Sequence, residues 1–164
     1  MGVTEFPRCQ DPTYCGVLDY VGGLISSTSV GQYFLGPAGV YRDPRNYKDY
    51  LESNNFLPYL NNEKGTEKAK AIRKERFSSL HGAMLVLFTR DQVVTPPESA
   101  WFQSESAHSR KVEPLESSAF YKEDFIGLRQ LDEAGKVDWV SIHADHSGWS
   151  DHDLDKYFIP FLLQ

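Results

Sequence analysis

The sequence has no excess of positive charge and no long apolar run, and these absences exclude two classes of protein. Its 164 residues include 17 lysines and arginines against 23 aspartates and glutamates, which gives a formal net charge of −6. Proteins that track nucleic-acid phosphates present basic surfaces, so we expect no nucleic-acid partner. No apolar run approaches the roughly 18 residues that a membrane helix needs, so we expect no transmembrane segment. The opening residues MGVTEFPRCQ also lack the pattern of a signal peptide.

Cysteine is scarce as well. Cys9 and Cys15 lie six positions apart across the turn-forming residues QDPTY. Two thiols cannot form a structural zinc site by themselves, because such sites take four ligands. In an oxidising compartment the pair can close a small loop, which would stabilise the fold by roughly 2 kcal/mol. Two free thiols in a loop are the alternative that the residues leave open.

The first half of the chain is predicted to be helical, with loops rich in Tyr, Asn, Gly and Pro. In YRDPRNYKDYLESNNFLPYL, Asp43 and Pro44 are typical of a helix cap and first turn. A second helix is predicted in GTEKAKAIRKERFSSLHG, from Thr66 to Gly82 or slightly earlier. Its apolar stripe is thin, which favours a solvated connecting helix over one that binds an acidic lipid surface.

The second half alternates between strands and helices. GAMLVLF is a continuous apolar run, typical of a strand covered on both faces. Four elements follow: a short possible strand near SSAFY, a helix in EDFIGLRQLDEAGK stopped by Gly135, a strand KVDWVSI and an amphipathic helix LDKYFIPFLL. This order predicts an α/β fold. Two clear strands are too few for a parallel sheet, so we expect either a small α+β protein or a sheet whose first strands belong to sequence not present.

Polar residues follow each of the two clear strands. Asp91 comes three residues after the first strand, and His143 and His146 come just after the second. Loops beyond the carboxyl ends of neighbouring parallel strands share one edge of the sheet, where active residues of open α/β sheets lie. An Asp and a His meeting there form the orienting half of a nucleophilic triad, and their order matches Ser, Asp, His. The nucleophile does not appear, because the sequence has no G-x-S-x-G and neither cysteine is on a strand-to-helix turn.

Other interpretations apply to these residues and their neighbours. Asp91 could merely cap a turn. The loop HADHSGWSDHD could hold a metal ion, although its spacing matches no helical metal motif, or it could be a solvated acidic loop. The nearby aromatic residues, which include Trp101 and Trp149, are explained by ordinary packing.

Over nearly its whole length the sequence resembles the palmitoyl-protein thioesterases, lysosomal α/β hydrolases that remove fatty acyl groups from cysteine. The resemblance rests on FPRCQDPTYC, YRDP, FLPYLNNE, FTRDQVVTPPESAWF, EDFIGLRQLDEAGKV, ADH and FIPFL, in the family's order. It implies that Asp91 is the acid of the triad and that His146, in ADH, is the base. It also implies a disulfide between Cys9 and Cys15. The segment FQSESAHSRK departs from the aromatic FGFY that is usual in the family.

The resemblance also implies a domain division and a function. Residues 1–80 correspond to the family's helical insert, which shapes the groove for the fatty chain, and residues 81–164 to the C-terminal part of the α/β-hydrolase core. In the family the nucleophilic serine precedes the segment that matches Gly2, so we expect this chain to be the C-terminal part of a thioesterase and inactive when isolated. S-palmitoylated proteins or fatty-acyl thioesters are the expected substrates, with no cofactor or metal, in the lysosome or secretory pathway. The alternative is a catalytically dead module that binds acyl chains or proteins.

Overall fold

The computed structural model describes residues 2–4, 39–109 and 111–164. Cys9 and Cys15 lie outside these residues, so the disulfide between them stays a prediction. The elements within the described ranges, in chain order, are α1 (Tyr47–Ser53), α2 (Leu57–Leu60), α3 (Glu67–Ser78), β1 (Ala83–Phe88), a 3₁₀ turn (Pro97–Trp101), β2 (Ser104–Glu105), β3 (Val112–Glu113), a 3₁₀ turn (Leu115–Ser117), α4 (Ala119–Lys122), α5 (Leu128–Glu133), β4 (Val137–Ile142), α6 (Asp151–Asp153), a π-helical turn (Leu154–Phe158) and α7 (Ile159–Leu162).

The two predicted strands form a parallel pair. β1 and β4 are hydrogen-bonded neighbours in register from Ala83 opposite Val137 to Phe88 opposite Ile142. Parallel strands are joined by a long crossover, and here the crossover contains α4 and α5. The predicted α/β fold class is therefore confirmed, and the arrangement is consistent with part of an α/β-hydrolase fold.

Apolar side chains cover both faces of this sheet, as the continuous apolar sequence of β1 predicts. On one face, Leu85 and Trp139 pack against a buried cluster from the crossover. The members of that cluster are Leu115, Phe120, Ile126 and Leu128. On the other face, Phe88, Val140 and Ile142 pack with aromatic side chains of the terminal helical segment 151–162. Side chains alternate along a strand, so one pair of strands contributes to two cores.

Two predicted helix boundaries differ from the structure. α1 begins at Tyr47 and not at Asp43, because the Asp43 carboxylate accepts a hydrogen bond from the backbone N–H of Arg45 at 2.9 Å and closes a local turn instead. α5 begins at Leu128, since Asp124 and Gly127 have positive φ angles of 52° and 88° that interrupt the helix. The predicted stop is confirmed at Gly135, with φ 66°.

The predicted short strand at SSAFY is wrong. These residues lead into the helix α4, and the Ser118 hydroxyl accepts a hydrogen bond from the backbone N–H of Tyr121 at 3.2 Å. The predicted opening of α3 is confirmed, because the Thr66 hydroxyl accepts a hydrogen bond from the backbone N–H of Ala69 at 3.3 Å. β2 and β3, which the sequence analysis missed, pair antiparallel.

A buried ion pair stabilises the helices that precede the sheet. Arg42 Nη2 lies 3.0 Å from Glu63 Oε1, and the two side chains are 11% and 1% exposed. The Tyr50 hydroxyl donates a hydrogen bond of 2.6 Å to the other carboxylate oxygen of Glu63. These helices also contact the crossover, because the Asn62 side-chain amide donates to the carbonyl of Phe125 at 2.6 Å. A domain boundary near residue 80 stays a prediction.

Candidate active site

The loops that follow β1 and β4 leave the sheet at the same edge, because the two strands are parallel. The backbone N–H of Thr89 donates to the carbonyl of Ile142 at 2.9 Å, and that of Arg90 donates to the carbonyl of Ala144 at 3.1 Å. The two loops are thus joined by backbone hydrogen bonds at the point where their polar residues begin.

Asp91 and His146 meet between these loops. Asp91 Oδ2 lies 2.8 Å from His146 Nδ1. The other carboxylate oxygen, Oδ1, accepts hydrogen bonds from the backbone N–H groups of Val93 and Val94 at 2.8 and 2.9 Å. Asp91 therefore does cap a turn, as the plainer interpretation holds, but it does so with one oxygen and holds the imidazole with the other.

The surroundings of Asp91 keep its carboxylate ionised. Burial by itself raises the pKa of Asp91. The hydrogen bond with His146, followed by those from the amides of Val94 and Val93, outweighs burial, and the net result is a pKa below the usual value. The Asp91 side chain is 7% exposed, whereas that of His146 is 43% exposed. The pair thus consists of a fixed anion inside and a solvent-accessible ring outside.

A tight turn presents His146 to the solvent. The backbone N–H of Gly148 donates to the carbonyl of Asp145 at 2.9 Å, which closes a four-residue turn with His146 at its second position. The third position is Ser147, whose φ of 55° is unusual for a residue with a side chain. A Cβ atom at Gly148 would lie 2.9 Å from the Asp145 carbonyl oxygen and 3.1 Å from Cβ of Ala144, so the turn requires glycine there.

Aromatic packing and a capped helix hold the far end of this loop. The Trp149 ring lies 5.8 Å from that of Phe88 and 5.5 Å from that of Phe158, measured between ring centroids. The next residue, Ser150, caps α6 in a reciprocal arrangement with Asp153. Trp149 packs as the sequence analysis expects, and in doing so it ties the His146 loop to the last residue of β1.

His143 does not reach Asp91. Its Nδ1 lies 2.7 Å from Thr89 Oγ1 instead. Sequence reasoning missed the roles of Thr89, Ser147 and Gly148 in shaping this site. For Thr89 the available signal in the sequence was the alternation of side chains along a strand. Residues two positions apart share a face, so Thr89 and His143 are expected on the face where Leu87 and Ser141 are paired.

The described part of the chain contains no grouping of three His, Cys, Asp or Glu side chains that could hold a metal ion. Within the loop that was a candidate for metal binding, Asp145 is paired with Arg90 at 3.4 Å and Asp153 with Ser150. In residues 2–4, 39–109 and 111–164, every helix is too short or too polar to cross a bilayer.

An apolar groove of about 620 Å³ lies between the helices that precede the sheet and the crossover. Small-molecule sites in proteins have volumes of roughly 300–1,000 Å³ and mostly apolar walls, and this groove has both properties. Its principal apolar lining residues are Leu57, Leu60, Phe77, Leu80, Phe102 and Ile126. Phe102 belongs to the segment that follows the Asp91 turn, so one loop contributes both to the groove and to the Asp–His pair.

Comparison with known proteins decides the family. The sequence profile described as palmitoyl protein thioesterase matches residues 1–146, which end at His146. The chain belongs to the palmitoyl-protein thioesterase family.

Among the relatives of this thioesterase-family chain is "Palmitoyl-protein thioesterase 3" of Dictyostelium discoideum, which is 32% identical over 145 residues, 88% of this chain and 48% of the relative. "Palmitoyl-protein thioesterase 1" of Caenorhabditis elegans is 31% identical over 66% of this chain and 36% of its own length. "Lysosomal thioesterase PPT2-B" of Xenopus laevis is 32% identical over 68% of this chain and 38% of its own length. The chain thus spans about half of the first relative and less of the other two.

Proposed function

We propose that this chain carries the acid and the base of a palmitoyl-protein thioesterase, an enzyme that hydrolyses fatty-acyl thioesters on protein cysteines. The observation that supports the proposal most directly is the 2.8 Å contact between Asp91 Oδ2 and His146 Nδ1. A carboxylate held by two backbone amides and hydrogen-bonded to an accessible imidazole is the arrangement that orients a catalytic base.

In this proposal Asp91 fixes the tautomer of His146. With its proton on Nδ1 and donated to Asp91, His146 has Nε2 free to accept a proton from a nucleophile. The asymmetry of the pair supports this role, since the carboxylate is nearly buried and the ring is not. Asp91 would then stabilise the imidazolium that forms during the reaction, without itself taking up a proton.

The nucleophile in the proposed enzyme is a serine from sequence outside these 164 residues, because the 164 residues contain no G-x-S-x-G. Its oxygen attacks the thioester carbonyl carbon while His146 Nε2 accepts the hydroxyl proton. The tetrahedral intermediate collapses with cleavage of the carbon–sulfur bond, and His146 returns the proton to the cysteine thiolate. Water then attacks the acyl-serine carbonyl carbon while His146 Nε2 accepts a proton from it, and His146 returns that proton to the serine oxygen as the ester carbon–oxygen bond breaks, which releases the fatty acid.

The apolar groove is the proposed site for the fatty chain. Its size and its lining suit an unbranched apolar group, and the loop after Asp91 contributes Phe102 to its wall. The proposed substrates are therefore S-palmitoylated proteins or other fatty-acyl thioesters. The lysosome or the secretory pathway is the proposed location of the activity, and the name of one relative, "Lysosomal thioesterase PPT2-B", supports that proposal. A disulfide between Cys9 and Cys15 would suit such a compartment.

The experiment that tests the proposed function is a chimera. In the Dictyostelium palmitoyl-protein thioesterase 3, the matching segment is replaced by this chain, and hydrolysis of a palmitoyl thioester is measured. We expect an active chimera in which Asp91→Asn lowers turnover by about 10⁴, because the imidazole adopts the wrong tautomer. Asp138→Asn, which removes an exposed carboxylate on β4, is the matched control and should leave turnover unchanged. More than a tenth of the activity remaining in Asp91→Asn would contradict the assignment.

The isolated chain provides the complementary test. Triad members act as a unit, so the purified 164-residue protein should release no fatty acid from a palmitoyl thioester. Measurable hydrolysis of a palmitoyl thioester by the pure chain would overturn the proposed division of roles.

A second candidate is a non-enzymatic module that binds acyl chains. The groove favours it, as does the lack of a nucleophile motif in the sequence. A fluorescent palmitate analogue distinguishes the two candidates when it is combined with the chimera. A binding module would hold the analogue and leave the chimera inactive, whereas the enzyme would give both binding and turnover.

A further inference from the structure

A side-chain hydrogen bond joins the two strand ends immediately before the loops that carry Asp91 and His146. Thr89 Oγ1 lies 2.7 Å from His143 Nδ1. The last residues of the paired strands are Phe88 and Ile142, so Thr89 and His143 are the first residues beyond them. The contact therefore adds a side-chain link where the regular backbone pairing stops.

The backbone of the second strand turns away at the same place. The N–H of Ala144 bonds back to the carbonyl of Ile142 at 3.0 Å, which closes a three-residue turn centred on His143. In a regular parallel ladder that N–H would donate across to the first strand. His143 is thus the residue at which β4 loses its register, and its ring replaces the lost backbone link with a bond to Thr89.

The distance along the chain from this link to the Asp–His pair is short. Thr89 precedes Asp91 by two residues, and His143 precedes His146 by three. A rotation or slip of the second loop at residue 143 would therefore move the ring of His146 relative to the carboxylate of Asp91. Asp91 has an independent anchor in the amides of Val93 and Val94, so the second loop is the part whose position needs to be set.

Backbone hydrogen bonds from Thr89 to Ile142 and from Arg90 to Ala144 also join the two loops. Apart from the Asp91–His146 pair, the second side-chain contact between them is the weaker one. Arg90 Nε lies 3.4 Å from Asp145 Oδ1, with side chains that are 54% and 77% exposed. Exposed ion pairs of this kind contribute little, because water screens the charges and two long side chains must be ordered. The Thr89–His143 hydrogen bond is also exposed, but at 2.7 Å it is shorter and it orders two shorter side chains. Of these two side-chain contacts it is therefore the better candidate for holding the loops in register.

We propose that Thr89 and His143 are positioning residues that hold the His146 loop in register with Asp91. The catalytic part of this inference rests on the proposed thioesterase function. The geometric part does not, because the Asp91–His146 contact can be observed in the isolated chain. We call the Thr89–His143 hydrogen bond the clamp. In this proposal it acts through the position of His146, and neither Thr89 nor His143 touches the substrate.

Thr89→Val and Thr89→Ser test the clamp in the isolated chain. Valine keeps the shape of threonine and removes the hydroxyl, whereas serine keeps the hydroxyl. The readout is the ring ¹⁵N spectrum of His146 at about pH 8, together with the low-field proton signal of its Nδ1–H. We expect the wild type and Thr89→Ser to show the Nδ1–H tautomer with a sharp proton signal. Asp91→Asn, which removes the acceptor, serves as the reference for a lost contact.

In Thr89→Val we expect the proton signal of His146 to broaden and a second tautomer to appear. If Thr89→Val does not fold, His143→Ala removes the same hydrogen bond from the other side and is measured in the same way. A spectrum of His146 that is the same in the wild type and in the folded variant without the bond overturns the proposal. Loss of the signal in Thr89→Ser as well would also overturn it, because the hydroxyl would then not be the group that matters.

The same pair of variants in the Dictyostelium chimera separates positioning from a general loss of structure. We expect Thr89→Val to lower kcat roughly tenfold with little change in KM, and Thr89→Ser to restore it, because small errors in orientation reduce the rate of proton transfer. An unchanged kcat in Thr89→Val, or a change in KM alone, would contradict the clamp. If the chimera with the wild-type sequence is inactive, the proposed function fails, while the spectra of the isolated chain still decide whether the clamp exists.

Discussion

The Nδ1 atom of His146 lies 2.8 Å from Oδ2 of Asp91, although 55 positions of sequence separate the two residues. A parallel pair of strands, β1 and β4, brings them together at one edge of the sheet. The two partners differ in exposure, since the carboxylate is enclosed and held by backbone amides while the ring reaches the solvent. An ordinary surface ion pair exposes both partners, so this asymmetry favours a functional role for the pair.

The first prediction concerns the dependence of stability on pH. Burial opposes ionisation of Asp91, but the bonds from His146, Val94 and Val93 prevail and lower its pKa. A carboxyl group with a lowered pKa in the folded state stabilises the fold above its unfolded pKa, and this stabilisation is lost as pH falls through the folded pKa. We therefore expect the difference in unfolding free energy between the wild type and Asp91→Asn to be present at about pH 5 and to shrink towards about pH 2.

Urea denaturation across this pH range measures the effect. Ser141→Ala serves as the control, because it changes an exposed side chain of β4 and removes no titrating group. The difference in unfolding free energy between Ser141→Ala and the wild type should not vary with pH. A difference for Asp91→Asn that grows as the pH falls from 5 to 2 would have the wrong sign for a carboxyl with a lowered pKa.

The second prediction concerns the turn that presents His146. Gly148→Ala places a Cβ atom 2.9 Å from the Asp145 carbonyl oxygen, so the backbone must shift. We expect a loss of roughly 1–2 kcal/mol in stability and a change in the ring ¹⁵N signals of His146. Gly39→Ala is the matched control, because its Cβ would lie at an ordinary contact distance of 3.5 Å from Phe56. If both variants had the same small effect, the turn would not need glycine.

The strand pair and the meeting of Asp91 with a histidine of the second loop could be predicted from the residue pattern. A continuous apolar run indicates a strand covered on both faces, and polar residues after two such strands are expected at one sheet edge. The choice between His143 and His146 came from resemblance to the family and not from spacing. Nothing in composition reveals that Ser147 has a positive φ, since that angle is imposed by the closure of the turn around it.

The failed predictions have local causes. Asp before Pro can begin a helix or close a turn, and at Asp43 the carboxylate bonds to Arg45 two residues on, which gives a turn. At SSAFY the aromatic residues suggest a strand, but Ser118 caps a helix whose Phe120 stacks on Phe102 at 5.5 Å. Short apolar runs are ambiguous by periodicity alone, so the tertiary contact decides between helix and strand.

The third prediction concerns the buried ion pair of Arg42 and Glu63. Glu63→Ala leaves the guanidinium of Arg42 without its carboxylate and removes the acceptor for the Tyr50 hydroxyl. We expect a loss of about 3–5 kcal/mol in unfolding free energy, because removing one partner leaves the other charge buried. Glu52→Ala is the control, since the Lys48–Glu52 pair is 3.8 Å long with side chains 84% and 67% exposed. That variant should lie within about 0.5 kcal/mol of the wild type by urea denaturation.

The last prediction concerns the groove proposed for the fatty chain. Leu80 lines the groove and is 41% exposed, so Leu80→Trp can add volume there with little disturbance of the core. In the chimera we expect kcat/KM for a palmitoyl thioester to fall by roughly 10 to 100-fold, while kcat/KM for a butyryl thioester stays within about twofold. The reason is that a filled groove excludes a long chain but still accepts a short one.

The matched control for this variant is Leu162→Trp, because Leu162 is 77% exposed on α7 and does not line the groove. This variant adds the same side chain and should leave kcat/KM unchanged for both the palmitoyl and the butyryl thioester. An equal loss for both thioesters in Leu80→Trp would indicate damage to the Asp91–His146 pair or to folding, which the ring ¹⁵N spectrum of His146 would reveal. An unchanged preference with intact activity would contradict the groove as the acyl site and would leave the Asp–His assignment standing, since the two proposals depend on different residues.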